Sequence, residues 1–404
     1  MSRICMLGHP AAGHVNPTLP LIAELASRGE EITYFSSDPF RSRIEKTGAR
    51  FQAYGAQALF ERNLARGGML GGMAGLIGTT ETILPGLLDE VRALGPDYLL
   101  VEAHAVWGNL AAQVLNLPAV TLSSMLAINE RLISSGQLIE HLYGTGPSAR
   151  VLEGLQGLSA YFESARRLSN RYGIACPGII NYLGNRQPLN IVFTSRDFQV
   201  GGEVFDESYK FVGPSLPEKA EDHGLRISAE KSEPLIFISM GTMYNDNANF
   251  YRDCFEAFRD WPATVVMAVG HRLDRSTLAE PPRNFIVRDY VSQLAVLSQT
   301  SLFITHGGLN SAHEAMFYGV PMLVLPEQAD HYVVANQVDA VGAGIVLDRR
   351  KAMPALLSKL AKELLSEPRY RQKSAAMGKS LAAAGGSKRA ADEICCFKHK
   401  LKIH

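Results

Sequence analysis

The sequence predicts an α/β protein built from two parallel-sheet domains, on the strength of its length, its strand–helix alternation and one break in composition. At 404 residues the chain is longer than a single hydrophobic core usually spans. Short apolar strands alternate with helical stretches in both halves, the pattern of βαβ units. Between the halves, Phe211–Pro234 turns proline-containing and charged, as interdomain linkers do. The predicted boundaries are therefore 1–215 and 216–375, with a C-terminal helical segment at 376–404.

Arg3–Gly8 reads as a buried strand, followed by a Gly/Pro/His loop and a helix whose stripe is Leu19, Leu21, Ile22 and Leu25 and which stops at Gly29. Glu31–Ser36 is the next strand, and Tyr98–Glu102 and Ala119–Ser123 extend the same sheet. The glycine-rich stretch Asn63–Thr80 is poor helix material and predicts a mobile pocket wall or a plain surface loop. Met125–Tyr182 is rich in helix formers. In the second half the expected strands are Leu235–Met240, Ala263–Val269, Asn284–Val287, Ser301–Thr305 and Met322–Leu325.

Composition narrows the function. With 46% hydrophobic and 20% charged residues the chain is ordinary globular material. Forty basic residues balance forty acidic ones, so no overall field draws it to nucleic acid or an anionic membrane. Cys5, Cys176, Cys254, Cys395 and Cys396 lack the spacing of a zinc site or a disulfide framework, which predicts a reducing, cytoplasmic setting. The apolar run Ile4–Leu7 is too short for a signal-peptide core, and no stretch reaches the roughly 20 apolar residues of a spanning helix, so stable membrane insertion is not expected.

The chemistry concentrates after strands. Thr305-His306-Gly307-Gly308-Leu309-Asn310-Ser311 joins a strand to a helix running to about Tyr318, and its glycines let backbone amides at the helix start approach an anion such as phosphate. Ser311 and Glu314 also stand in capping-box spacing, and Asn310 can serve as an ordinary cap. His9 and His14 flank the first loop, where either can be a hydrogen-bonded loop residue or a base.

The run HGGLNSAHEAMFYGVPMLVLPEQADHYVVANQV from His306 to Val338, with GHVNP at Gly13–Pro17 and SMGT at Ser239–Thr242, closely resembles the family-1 UDP-glycosyltransferases of the bacterial macrolide type, across essentially the whole chain. The resemblance implies the GT-B architecture: two Rossmann-like domains facing across a cleft, the first binding acceptor, the second binding nucleotide-sugar, with a C-terminal helix returning to the first. It implies that Gly241, Thr242, His306, Gly308, Asn310 and Ser311 serve the donor, that Glu314 matches the acid on the ribose hydroxyls, and that Val291 and Gln293, within Tyr290–Gln293, face the base. The pair that holds sugar hydroxyls aligns with Asp330 and His331, although Glu327-Gln328 offers the same side-chain types; His331 raises galactose as an option.

In the first half the resemblance selects His14 as general base and places Glu102, in PDYLLVEAHAVWG, where the family carries an aspartate partner; His104 shares an extended face with it, and His9 is expected to be structural. An imidazole with an ordinary pKa of about 6.5 can take an acceptor hydroxyl's proton as attack begins. The implied reaction is direct displacement with inversion at the anomeric carbon of a UDP-hexose, the acceptor being a hydrophobic hydroxylated natural product of macrolide or polyphenol type. No metal is expected, since no DxD triplet is present, and no cofactor beyond the donor. The expected acceptor-lining segments are 56–95 and 125–182, and a monomer or weak homodimer is expected. Alternatives are a sugar-nucleotide epimerase of the same architecture and a non-catalytic sugar-nucleotide-binding protein.

Overall fold

The computed structural model describes residues 1–55, 69–141, 150–175, 178, 184–216, 233–242 and 245–403. It divides into two compact units, Met1–Ile139 with Gly146–Leu216 and Ala384–His404, and Glu140–Thr145 with Pro217–Ala383. The chain begins β1 (Arg3–Leu7), α1 (Ala12–Val15), α2 (Leu19–Ser27), β2 (Glu31–Ser36), α3 (Arg41–Glu45), β3 (Arg50–Ala53), α4 (Met69–Leu94), β4 (Tyr98–Glu102), α5 (Val106–Leu115) and β5 (Ala119–Ser123). It continues α6 (Glu130–Ser134), α7 (Gln137–His141), α8 (Arg150–Tyr172), β6 (Leu189–Val192) and β7 (Tyr209–Phe211). The remainder is β8 (Leu235–Ser239), α9 (Ala248–Phe258), β9 (Thr264–Ala268), β10 (Phe285–Arg288), α10 (Gln293–Leu297), β11 (Leu302–Thr305), α11 (Leu309–Phe317), β12 (Met322–Val324), α12 (Ala329–Ala340), β13 (Gly344–Val346), α13 (Pro354–Ser366), α14 (Pro368–Ala383) and α15 (Gly386–Lys400).

The first sheet is parallel with strand order β3-β2-β1-β4-β5-β6-β7, and the second is parallel with order β10-β9-β8-β11-β12-β13. Both are Rossmann-like, doubly wound sheets, and in each the order reverses once, between β1 and β4 and between β8 and β11. Such a switch point leaves a crevice outside the carboxyl ends of the two strands. Every strand expected from the sequence is present to within a residue at each end. The short strands β3, β6, β7 and β13 were not expected; β7 ends on Phe211, the first residue of what reads as linker.

Side-chain alternation along β1 explains the layering: Cys5 and Leu7 join one buried cluster with α4, α5 and α8, while Ile4 and Met6 join another with α2 and α15. The glycine-rich stretch departs from expectation. From Met69 onward it is the helix α4, with Met73, Ile77, Leu84, Leu88 and Val91 buried against Trp107, Leu110, Tyr161 and Leu168. Tertiary packing of this apolar face overrides the low propensity of its glycines. Nothing packs where Gly72, Gly78 and Gly86 would carry a Cβ, so contacts do not explain glycine there. Residues 63–68 of that stretch, and 217–232 of the expected linker, lie outside the described residues.

The helix α14 runs unbroken through the expected boundary at 375/376, and the segment that joins the first unit begins at Ala384. Its helix α15 sets Ala390, Ala391 and Ile394 into the cluster of Leu21, Ile22 and Leu25 from α2. Lys398 Nζ donates to Glu30 Oε1 at 2.6 Å, both side chains nearly buried, and the Ser2 N–H donates to Glu30 Oε2 at 2.9 Å. Arg28 pairs with Asp392 at 2.6 Å. Cys5 and Cys254 are buried thiols and Cys395 and Cys396 are free; Cys176 lies outside the described residues. No described helix is long and apolar enough to cross a membrane.

Candidate active site

The switch point of the first sheet collects the expected catalytic residues. The chain leaves β1 through Gly8, where a Cβ would stand 2.6 Å from the Tyr34 ring, so only glycine lets the loop lie so close to β2. Thr18 Oγ1 bonds the Val15 carbonyl and Tyr34 Oη, each at 2.8 Å, which pins the short turn α1 carrying His14. On the other side of the reversal, Glu102 ends β4 and is fully buried.

His14 Nδ1 and Glu102 Oε1 are 2.8 Å apart. Ser124, just past β5, lies 2.9 Å from His14 Nδ1 and donates to Glu102 Oε1 at 2.6 Å, while the His104 backbone N–H donates to Glu102 Oε2 at 2.8 Å. Burial opposes the charge of Glu102, yet His14 and His104 hold its carboxyl well below the usual carboxylate range. An ionised carboxylate on Nδ1–H fixes the tautomer that presents Nε2 as the proton acceptor. His14 keeps 17% of its side chain exposed.

The other two histidines occupy different places. His9 is buried, its ring edge-on to His14 at 4.7 Å, and burial together with His14 holds it well below the usual imidazole range. His104 stacks edge-on to His14 at 4.8 Å and its Nδ1 lies 3.8 Å from Glu102 Oε1. Trp107 Nε1 donates to Tyr54 Oη at 2.9 Å, which donates to the Gly8 carbonyl at 3.0 Å and braces the loop from behind. Among the described residues, His14, Glu102 and His104 are the group able to hold a metal, their ligand atoms lying within 4.8 Å of one another.

The second sheet's switch point gathers the expected donor residues within its own unit. His306 follows β11 and lies in a glycine cradle: a Cβ at Gly241 would stand 2.6 Å from its Cε1, and one at Gly308 2.7 Å from its Nε2. Burial, with His331 edge-on at 4.6 Å, pushes His306 down to about 3, so it is a neutral hydrogen-bonding ring and not a cation. Gly308, which has no side chain to cap with, is the N-cap of α11, so Asn310 and Ser311 stand inside its first turn and not at the capping position that the sequence allowed them. The first-turn amides are then available to an anion.

Gln293, opening α10 after the buried Val291, donates to Ser311 Oγ at 3.1 Å and to Glu314 Oε2 at 2.7 Å. Burial pushes the half-buried Glu314 carboxyl up to about 7, with the Gln293 bond opposing. Tyr290 is 59% exposed, and Thr242 is exposed past β8. Asp330 is partly exposed on α12, whereas His331 is buried against His306. The alternative pair separates: Glu327 binds Arg349, and Gln328 is the N-cap position of α12. Ser124 and Arg349 were not singled out from the sequence; the only cue to Ser124 is its place past the strand neighbouring β4.

Comparison with known proteins gives the family and the fold. Residues 254–394 match the family described as "Erythromycin biosynthesis protein CIII-like, C-terminal domain". The chain is 34% identical to an uncharacterised UDP-glucosyltransferase of Bacillus subtilis, YojK, over 98% of its own length and 97% of the relative's. It is 30% identical to the demethyllactenocin mycarosyltransferase of Streptomyces fradiae, over 98% of this chain and 86% of that one. The crystal structure of the kitacinnamycin glycosyltransferase superposes with a TM-score of 0.83 at 27% identity, covering 97% of this chain and 98% of the other.

Proposed function

Because the chain belongs to the family-1 glycosyltransferases of the bacterial macrolide type, we propose that it moves a hexose from a UDP-sugar, with inversion, onto a hydroxyl of a hydrophobic natural product, His14 acting as base. The observation that carries the reading is the His14–Glu102 bond at a sheet switch point, braced by Ser124. As the acceptor oxygen attacks the anomeric carbon, its proton passes to His14 Nε2 and the bond to the diphosphate oxygen breaks. Glu102 stabilises the imidazolium. The departing diphosphate takes the electron pair, and its charge is met by the amides at the start of α11, with His306, Asn310 and Ser311 as further donors. Glu314 and Gln293 serve the ribose and the base edge. Helix amides and neutral donors replace a metal in this scheme, and the acceptor chemistry named for the Streptomyces relative supports a macrolide-like aglycone. The test is to screen purified protein against UDP-sugars and a panel of hydrophobic alcohols, with product mass as readout. His14→Ala should lower transfer about 10²–10⁴-fold while donor affinity holds; wild-type rates in that variant refute the base.

A further inference from the structure

We infer that His14, Glu102 and His104 form a binding site for a divalent transition-metal ion of the zinc type, one that blocks the enzyme instead of serving it. The site rests on the geometry of the cluster and goes beyond the transfer reaction. Two imidazoles and a carboxylate place their ligand atoms within 4.8 Å of one another. Around zinc, with bonds of about 2.0–2.1 Å, neighbouring tetrahedral ligands stand roughly 3.3 Å apart. The separations from Glu102 Oε1, 2.8 Å to His14 Nδ1 and 3.8 Å to His104 Nδ1, straddle that value.

His104 supplies the independent observation. Its Nδ1 is buried and stands 3.8 Å from Glu102 Oε1, beyond the length of a hydrogen bond. Its side chain as a whole is 29% exposed, so the ring has room for the turn that brings Nδ1 to solvent and closes the remaining distance. The carboxylate supplies the charge and the nitrogens the softness, a donor set that suits zinc or cobalt over magnesium. The ion takes the place of the proton on His14 Nδ1, which moves to Nε2 as the neutral ring binds through Nδ1, and leaves a fourth position for water. With Nδ1 on the metal and Nε2 already carrying the ring proton, His14 no longer takes the acceptor's proton.

The experiment titrates full-length protein with zinc by calorimetry and with cobalt by visible absorption. One zinc per chain and the intense ligand-field band of four-coordinate cobalt are expected. His104→Asn and Glu102→Gln should each weaken zinc about tenfold or more and abolish the band, circular dichroism confirming that both fold. Zinc should inhibit transfer by the wild type in proportion to occupancy, each variant being compared with its own metal-free rate. The site is overturned if no band forms, if both variants bind zinc as the wild type does, or if zinc binding is lost instead in Cys395→Ser/Cys396→Ser. Zinc bound with the cobalt signature but without inhibition would keep the site, overturn its blocking action and refute His14 as the base.

Discussion

Replacing Glu102 by glutamine alters charge without altering size, and the structure fixes how the loss divides. Oε1 accepts from His14 at 2.8 Å and from Ser124 at 2.6 Å, while Oε2 accepts the His104 amide at 2.8 Å. An amide has one oxygen for these two sides. If its NH₂ faces His104, two donors collide there; if it faces His14, it donates to Nδ1 and drives the ring proton to Nε2, the tautomer that cannot act as base. A charge-assisted hydrogen bond contributes about 1.5–3 kcal/mol, or roughly 10–150-fold in rate, and a misplaced tautomer raises the loss towards about 10⁴-fold. Glu102→Gln should therefore reduce kcat about 10–10⁴-fold, with the donor KM little changed, since the donor residues lie in the other sheet. Glu102→Asp, one methylene shorter with the charge kept, should retain part of the rate. Steady-state product formation at saturating acceptor, with donor varied, separates kcat from KM. A kcat for Glu102→Gln within about threefold of wild type would refute the orienting role, and a crippled His104→Ala beside it would move the dyad.

Glu314 gives a pH prediction: its carboxyl is raised to about 7, and only the ionised form accepts both ribose hydroxyls, so UDP affinity should rise with pH, about tenfold between pH 6 and 8. Calorimetry of wild type against Glu314→Gln checks this, and a flat wild-type profile would sink it. Chelation by EDTA should leave turnover unchanged; loss with EDTA and recovery with magnesium or manganese would overturn metal-free departure of the diphosphate. Lys398→Ala strands the nearly buried Glu30 carboxylate and should cost about 3 kcal/mol. Deleting Ala390–His404 should lower the melting temperature further by uncovering Leu21, Ile22 and Leu25; a truncated chain that melts and turns over like the full one would show the helix dispensable.

What was legible in the sequence was local. Strands β1, β2, β4 and β5 announce themselves as apolar runs ending at a turn, and the loop before α11 by adjacent glycines. Glu102 was paired with His14 through the resemblance to the family, and the two meet because each sits at the carboxyl end of a strand flanking the switch point. What was not legible depends on register and packing. Ser124 reaches the pair only because β5 lies beside β4 with Leu122 opposite Glu102. His331 aligns with a sugar-binding position, yet it is buried against His306, and only the fold of α12 against the loop after β11 reveals that. The glycines of α4 misled because helix propensity is outweighed by an apolar face with partners on α5 and α8.

The salt bridge between Lys398 and Glu30 has a consequence for how the protein is born. Glu30 ties residue 2 to residue 398, and α15 supplies Ala390, Ala391 and Ile394 to the floor beneath the first sheet. On the ribosome, Pro217–Ala383 is therefore finished before the first unit possesses its last helix. The usual N-to-C order of domain completion is reversed. Until α15 is made, Leu21, Ile22 and Leu25 lack the partners Ala390, Ala391 and Ile394, and apolar surface left open in a nascent chain invites chaperones and aggregation.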